Sequence, residues 1–376
     1  MIRPKKMFLK DDKDFSACST FGVMNRKGKK FNGEMAVKAI ANMHDRSNGL
    51  GGGFGAYGIY PEYEDHYAFH MIYLDTRARY DVEDFLKKNF NLVMAEKIPT
   101  KKAPSVTDPP LLWRYFLEVG TNKPPDQSEE DYVVEMVMQI NAEMEGVYVA
   151  SSGKNMGVFK GVGFPEDIGE FYRLEDYKGY SWLAHGRFPT NTVGWWGGAH
   201  PFNILNWSVV HNGELSSYGI NQRYLEMYGY KCTLKTDTEV VAYTMDLLRR
   251  RHKLPFDLVA GVIAAPLWED IDRMDDDKRQ LYTTLRQTYA SLLLNGPFAF
   301  VIANNEEMIG ITDRIRLRPL VAGYKGDFFY IASEEAAIRE VCSNPQKVWQ
   351  PAGGEPVVGV LEKVEEKVVH LKRAAK

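Results

Sequence analysis

The chain has 376 residues, of which 44% are hydrophobic and 26% are charged, and its formal net charge is -3. These values are typical of a globular protein, and the length predicts one large domain or two smaller ones. No apolar run approaches the roughly 20 residues needed to cross a bilayer, and the charge gives no basic surface for nucleic acid or anionic lipid. The composition therefore favours a soluble protein that acts on a small molecule.

The N-terminus and the cysteines indicate a reducing compartment. The first seventeen residues, MIRPKKMFLKDDKDFSA, are too polar for the apolar centre of a secretory signal, so we expect a cytoplasmic location. The three cysteines, Cys18, Cys232 and Cys342, lie far apart and include no CxxC pair. This spacing predicts neither a disulfide framework nor a metal site.

The first elements after this leader are a strand and a helix. Hydrophobic periodicity predicts a strand at CSTFGVM and an amphipathic helix at GEMAVKAIANMHDR, with Met35, Ile40 and Met43 on its buried side. A glycine cluster from Gly49 to Gly58 follows, and it contains a GxGxxG match that alone would suggest a dinucleotide site. No strong strand precedes the match and no helix follows at once. We therefore interpret these glycines as permitting a turn and close backbone approach.

The next part of the chain, residues 67–150, reads as strand, helix, strand, strand, helix, strand. This is the βαββαβ order of a ferredoxin-like unit, with proline-rich connections and with Ser128 as a candidate helix cap. We predict an inserted subdomain at about residues 66–150. The alternative is that these elements extend the main sheets.

The rest of the chain returns to strands. VFKGVG, YSWLAHGRF and WSVVHNGEL have the pattern of buried strands that end in polar, glycine-bearing turns. Helices are predicted at TDTEVVAYTMDLLRRR, which begins near Thr236 or Asp237, and at YTTLRQTYASLLL. PFAFVIA, MIGITD, PLVAGY and FFYIAS predict further short strands. This alternation favours antiparallel sheets layered between helices, an α+β fold.

Several sequence blocks occur in a distinctive order: Cys18, then RFPTNT, HNGE and TDTE. Their order and spacing resemble the glutaminase domain of glutamate synthase, a class II glutamine amidotransferase. The later segments ITDRIRLRPL and YIASEE resemble landmarks of the same family at Asp313, Arg314, Arg318 and Ser333. The resemblance implies the four-layer αββα sandwich of N-terminal-nucleophile hydrolases. It also implies a leader of residues 1–17 and an amidotransferase domain of residues 18–376.

The resemblance makes Cys18 the nucleophile. An N-terminal cysteine supplies a thiol and also a base, because a free α-amino group has an unperturbed pKa of about 7.7 to 8.0 and can accept the thiol proton. Residues 1–17 must then be removed. The alternative is that Cys18 is a buried apolar residue. Active members commonly continue the nucleophile as C-G-I-F-G-V, whereas Ser19 and Thr20 follow it here.

Asn212 and Gly213 match the oxyanion hole of the family. The Asn212 side-chain amide and the Gly213 backbone N–H would stabilise the negative charge of the transition state. Asn-Gly is also a common hairpin turn, which is the alternative interpretation. We expect the preceding His211 to be a structural partner rather than a base.

The remaining matches imply a binding site for free glutamine. Arg187 matches the position that holds the α-carboxylate, a role that suits a planar bidentate donor. Asp237 matches the position that receives the α-ammonium group, although helix capping is an alternative role for it. Thr190 and Asn191 would line the site, and Phe188 would cover it.

The implied reaction converts glutamine and water to glutamate and ammonia through a γ-glutamyl thioester on Cys18. The chain has no room for a synthase barrel, and it shows no phosphoribosyl-binding signature and no cysteine-ligated iron–sulfur motif. We therefore expect the glutaminase subunit of a glutamate-synthase-like complex, without a cofactor of its own. Its partner synthase subunit would receive the ammonia and carry FMN and iron–sulfur groups. The alternatives are an ammonia-donating subunit for another synthase, such as an N-methylglutamate or amino-sugar synthase, and a non-catalytic regulatory protein of the same fold.

Overall fold

The computed structural model describes residues 17–188 and 194–362. Residues 1–16 of the predicted leader and the predicted site residues Thr190 and Asn191 lie outside these ranges. The described strands are β1 (Ser19–Asn25), β2 (Phe31–Asn32), β3 (Gly52–Tyr57), β4 (Tyr67–Tyr73), β5 (Phe90–Lys97), β6 (Leu111–Val119), β7 (Val147–Ser151), β8 (Met156–Gly161), β9 (Lys178–Gly179), β10 (Ser181–Gly186), β11 (Phe202–Ile204), β12 (Trp207–Gly213), β13 (Phe298–Ala303), β14 (Glu307–Thr312), β15 (Val321–Lys325), β16 (Phe328–Ala332), β17 (Lys347–Trp349) and β18 (Val357–Val360). The described α-helices are α1 (Glu34–Ala41), α2 (Ala78–Asn89), α3 (Glu129–Glu143), α4 (Pro165–Phe171), α5 (Tyr218–Glu226), α6 (Asp237–Met245), α7 (Phe256–Ile263), α8 (Trp268–Asp272), α9 (Asp276–Thr288) and α10 (Glu335–Val341).

Two antiparallel sheets pack face to face at the centre of the molecule. One has seven strands in the order β17-β15-β16-β1-β10-β3-β8, and the other has five in the order β11-β12-β13-β14-β18. Strand β1 of the first sheet contacts β12, β13 and β14 of the second. Helices α1, α4 and α10 cover the outer face of the first sheet, and α6 covers that of the second. The predicted four-layer αββα sandwich is confirmed.

Burial explains the residue patterns of these elements. Every residue of β1 and β10 is buried, because both strands lie inside a sheet that is covered on both faces. Helix α1 buries Ala36, Ala39 and Ile40, whose spacing of three and four residues forms one helical face. Of the side predicted to be buried, Ile40 and Met43 are buried, and Met35 is partly buried against the same core.

The glycine cluster holds a strand rather than only a turn. Residues Gly52–Tyr57 form β3, which pairs with β10 and β8 inside the seven-stranded sheet. A Cβ on Gly53 would lie 2.2 Å from the carbonyl oxygen of His200 and 2.7 Å from the Cβ of Lys160. The prediction of close backbone approach is therefore confirmed, while the prediction of a turn is wrong for this part of the cluster.

Residues 67–151 form a further sheet with two helices beside the sandwich. Strands β4, β5, β6 and β7 build a separate four-stranded sheet in the order β5-β6-β4-β7, accompanied by α2 and α3. The alternative that these strands extend the main sheets is wrong. Ser128 caps α3, since its Oγ accepts a hydrogen bond from the Asp131 amide at 3.1 Å. The description of this unit as an inserted subdomain stays a prediction.

None of the helices in residues 17–188 and 194–362 combines the length and the apolar character that a transmembrane span requires.

Candidate active site

The candidate site lies where the ends of neighbouring strands meet. Strand β1 begins at Ser19, and its two neighbours, β10 and β16, both run antiparallel to it and end beside its start. Ser19 pairs directly with Gly186, the last residue of β10. The residues that follow these strands, Arg187 and Ser333, therefore flank Cys18, which precedes β1.

The second sheet and α6 supply the opposite side of the site. Strand β12 ends at Gly213, and α6 packs against this strand. The N-cap of α6 is Thr236, whose side chain accepts a hydrogen bond from the Thr238 amide at 3.3 Å. Asp237 is not the cap, so the capping alternative is wrong. Its Oδ2 accepts a hydrogen bond from the Leu215 amide at 2.7 Å.

A cavity of about 480 Å³ joins these two sides. Four of the predicted site residues line it together: Cys18, Arg187, Gly213 and Asp237. These residues are far apart in the sequence, and the antiparallel pairing described above brings them to one end of the two sheets. The cavity therefore brings together a cysteine, an arginine, an aspartate and the glycine that ends β12.

Cys18 is held through both its side chain and its backbone. Its Sγ accepts a hydrogen bond from the Phe188 amide at 3.3 Å, and its carbonyl oxygen accepts two from the Arg46 guanidinium at 3.4 Å each. Burial raises the pKa of the Cys18 thiol, and the Phe188 amide, Arg187 and Arg318 oppose this only in part. The thiol is therefore the resting form at neutral pH, and a nucleophilic role requires a base. The covering role of the Phe188 ring stays a prediction.

Asn212 is fully buried and its side-chain amide contacts Ser333, the residue that follows β16, so its predicted place in the oxyanion hole stays a prediction. Its Nδ2 lies 3.5 Å from Ser333 Oγ, which also accepts a hydrogen bond from the Thr20 amide at 3.0 Å and lies 2.8 Å from Thr20 Oγ1. Ser333 thus links the start of β1 to the end of β12. The sequence marked Ser333 as a family landmark without a role, and this link is its structural function.

The departure from the usual residues after the nucleophile is accommodated. A Cβ on Gly186 would lie only 2.4 Å from Ser19 Oγ, so the absence of a side chain on Gly186 makes the space for Ser19. The Thr20 hydroxyl is paired with that of Ser333. Both hydroxyl groups therefore fit into β1 without breaking its pairing with β10.

Arg187 is only 6% exposed, and its backbone is fixed by the glycine cluster. Its amide donates to the Gly51 carbonyl at 2.8 Å, and its carbonyl oxygen accepts from Ser47 Oγ at 3.3 Å. Burial lowers the pKa of Arg187 below its ordinary value, and the nearby Cys18 and Asp237 offset only part of this effect. An arginine remains charged in proteins, so the guanidinium brings a fixed positive charge to the cavity.

The Asp237 carboxylate is ionised. Burial alone would raise the pKa of Asp237, but nearby His211, the Leu215 amide and the Thr238 hydroxyl outweigh it and hold this pKa below its ordinary value. His211 Nδ1 lies 3.7 Å from Asp237 Oδ1. The cavity lining therefore includes the ionised Asp237 and the charged Arg187, together with Glu214 and Lys235, and a carboxylate with a guanidinium is the pair of groups that an amino acid zwitterion requires.

Two further family landmarks act through the turn after β14. The carboxylate of Asp313 accepts hydrogen bonds from the amides of Phe298, Ile315 and Leu317 at 3.2, 3.2 and 2.9 Å. These bonds fix the turn that carries Arg318, whose charge lowers the pKa of Cys18. Asp313 is therefore structural, and Arg318 acts on the site electrostatically.

Sequence reasoning did not single out Arg46, His200 or Thr238. Arg46 follows α1 and has no motif around it, so no signal was available for it. Thr238 lies inside the TDTE block and His200 lies between the RFPTNT and HNGE blocks, and the distance from the Thr238 hydroxyl to the His200 imidazole is 2.9 Å. No group of three or more histidine, cysteine, aspartate or glutamate residues suited to a metal ion occurs in the described part of the chain.

The αββα sandwich is the fold of the N-terminal-nucleophile hydrolases. A family model described as glutamine amidotransferases class-II matches residues 62–351. The matched segment contains Arg187, Gly213 and Asp237, and it begins after Cys18. The chain belongs to the class II glutamine amidotransferases.

Individual relatives are similar over different shares of their lengths. An uncharacterized protein of Archaeoglobus fulgidus is 56% identical over 373 residues, which cover 98% of each chain. A putative glutamine amidotransferase of Methanothermobacter thermautotrophicus is 27% identical over 210 residues, or 55% of this chain and 59% of that protein. The NADPH glutamate synthase large chain of Bacillus subtilis is 27% identical over 216 residues, or 52% of this chain and 14% of the large chain. Apart from the Archaeoglobus protein, these relatives thus extend well beyond the region that they share with this chain.

Proposed function

We propose that this chain hydrolyses the side-chain amide of free glutamine to glutamate and ammonia, with Cys18 as the nucleophile. The observation that supports this proposal most strongly is the shared cavity of Cys18, Arg187, Gly213 and Asp237. Arg187 would bind the α-carboxylate and Asp237 the α-ammonium group. A substrate that lacks either group would lose a charged contact, so the site would select a free amino acid over a simple amide.

The proposed chemistry needs the α-amino group of Cys18. Removal of residues 1–17 frees this group, which accepts the thiol proton while Sγ attacks the side-chain carbonyl carbon of glutamine. The backbone N–H of Gly213 and the side chain of Asn212 stabilise the oxyanion of the tetrahedral intermediate. The intermediate collapses to a γ-glutamyl thioester, and ammonia leaves with the proton from the α-amino group. Water then hydrolyses the thioester, which yields glutamate and restores the thiol.

We propose further that a synthase subunit on another chain consumes the ammonia. The resemblance of the RFPTNT, HNGE and TDTE blocks to the glutaminase domain of glutamate synthase supports such a partner, which would carry FMN and iron–sulfur groups. Purification from the native host tests this point, because a glutamate-synthase-like partner would bring a flavin absorbance with it. A co-purifying synthase without flavin favours an amino-sugar acceptor instead. The cytoplasmic location stays a prediction.

The nucleophile is tested by labelling with an electrophilic analogue of glutamine, followed by intact-mass measurement of protein isolated from the native host. We expect a chain that begins at Cys18 and carries one label. Cys18→Ala, in protein that lacks residues 1–17, should abolish both the label and glutamine hydrolysis while the protein remains folded.

A matched control is Cys232→Ala, because Cys232 is partly exposed and lies outside the cavity lining, and burial raises the pKa of its thiol. This variant should label and hydrolyse glutamine as the wild type does. Native protein that retains Met1 and leaves Cys18 unlabelled would reject the glutaminase and favour a non-catalytic regulatory protein.

A further inference from the structure

Thr238 occupies the centre of a buried polar cluster behind the Asp237 carboxylate. Its side chain is fully buried, and its Oγ1 lies 2.9 Å from His200 Nε2, 3.0 Å from His211 Nδ1 and 3.3 Å from Asp237 Oδ1. A hydroxyl group has one hydrogen to donate and two lone pairs that accept. Three partners therefore use its whole hydrogen-bonding capacity.

The chemistry of the partners sets the direction of each bond. An ionised carboxylate only accepts, so the Thr238 hydroxyl donates to Asp237, and both imidazoles donate to Thr238. This assigns the proton of His200 to Nε2 and that of His211 to Nδ1, an assignment made from the network. The opposite ring nitrogens, His200 Nδ1 and His211 Nε2, are buried and have no hydrogen-bond partner among the described residues. This agrees with the assignment, because an unpaired acceptor is tolerated more often in a protein interior than an unpaired N–H.

A third histidine, His185, contacts the backbone of His211 and the ring of His200. His185 Nε2 donates to the backbone oxygen of His211 at 2.8 Å, and the His185 ring stacks on His200 at a centroid distance of 3.9 Å. Burial lowers the pKa of His185 to about 3 and the pKa of His200 well below its ordinary value. Both rings are therefore neutral at working pH and act as oriented hydrogen-bond donors rather than as charges.

We propose that Thr238 is a positioning residue that aims the Asp237 carboxylate at the α-ammonium group of the substrate, with His200 and His211 as its supports. This inference rests on the proposed glutaminase function. The Leu215 amide holds Oδ2 at 2.7 Å and the Thr238 hydroxyl holds Oδ1 at 3.3 Å, so both oxygens are anchored and the carboxylate plane is fixed. A carboxylate offers about four lone-pair sites, which leaves room for the ligand.

The test compares glutamine with glutaramate, the same amide without the α-amino group, in protein that begins at Cys18. Thr238→Val keeps the shape of the side chain and removes the hydroxyl. The ratio of kcat/KM for glutamine to kcat/KM for glutaramate should fall about tenfold, since a hydrogen bond to a charged group contributes at least this much. Thr238→Ser keeps the hydroxyl and should restore the ratio. Thr238→Ala also removes the hydroxyl, so we expect the same fall in the ratio. It replaces Thr238→Val in the test if the valine variant does not fold.

Thr244→Val is the matched control. Thr244 lies on the same helix and is fully buried, and its hydroxyl has no partner among the described residues, so both substrates should be turned over as by the wild type. An unchanged ratio in folded Thr238→Val, or equal losses for the two substrates, would overturn the positioning role. A wild-type protein that hydrolyses neither substrate would instead reject the proposed function itself.

Discussion

Gly213 provides a sharp test of the proposed oxyanion site. It ends β12 with a φ of 145°, and a Cβ on it would lie 1.9 Å from the carbonyl oxygen of Pro297. Ordinary contacts of a Cβ begin at 3.4 Å, so Gly213→Ala requires the end of β12 to move by about 1.5 Å. The atom that blocks the new Cβ is the Pro297 carbonyl oxygen, which belongs to the backbone. It cannot rotate away, because it accepts a hydrogen bond from the Glu214 amide at 3.0 Å.

The expected loss in kcat of Gly213→Ala follows from the geometry that an oxyanion donor needs. Such donors act within about 2.7–3.1 Å of the oxyanion, and loss of one donor costs about 10²- to 10³-fold in kcat, or roughly 2.7–4 kcal/mol. A displacement of about 1.5 Å takes the Gly213 N–H out of this range. The KM for glutamine should change little, because Arg187 and Asp237 remain in place.

The assay measures glutamate release by protein that begins at Cys18, together with thermal unfolding. Gly229→Ala is the control: Gly229 has a φ of 89°, and no atom lies within 4 Å of its Cβ position. That variant carries only the strain of positive φ, about 1–2 kcal/mol of unfolding free energy, and should keep its kcat. A folded Gly213→Ala protein with the kcat of the wild type would refute the assignment of Gly213 as an oxyanion donor.

Two further predictions concern binding and stability. Arg187→Lys keeps the charge but loses the planar fork, so the KM for glutamine should rise about tenfold or more; an unaltered KM would return Arg187 to a structural role. His70 donates from Nδ1 to the Val158 oxygen at 3.0 Å and lies 2.8 Å from the Tyr60 hydroxyl, and burial lowers its pKa to about 3. The unfolded chain takes up a proton on this histidine below about pH 6.5 and the folded chain does not, so His70 lowers the free energy of unfolding by up to about 1.4 kcal/mol for each pH unit of acidification. His70→Gln should remove this contribution. The measurement is the free energy of unfolding by denaturant at several pH values between about pH 6 and pH 4, and a pH dependence equal to that of the wild type would contradict the prediction.

The strands and helices themselves were predictable because their signals are local. The sequence patterns at residues 67–150 predicted six elements in the observed order of strand, helix, strand, strand, helix and strand. The cap at Ser128 was predictable for the same reason, since it depends on residues within one helical turn. The strand at Gly52–Tyr57 was missed because glycine has a weak strand propensity. Only the neighbouring backbone oxygens of Phe159 and His200, with the Cβ of Lys160, explain why glycine is needed at Gly53.

The sequence by itself determined the family, through blocks that occur in order, and it identified the residues that carry the candidate chemistry. The tertiary structure decided how these residues meet. Thr20 and Ser333 are 313 positions apart, and Thr238 and His200 are 38 apart, yet each pair is in hydrogen-bond contact. The physical reason is that antiparallel pairing places the start of one strand beside the ends of its neighbours, and no local pattern records which strands become neighbours. The space that Gly186 leaves for Ser19 and the role of Thr238 behind Asp237 are therefore properties of the fold.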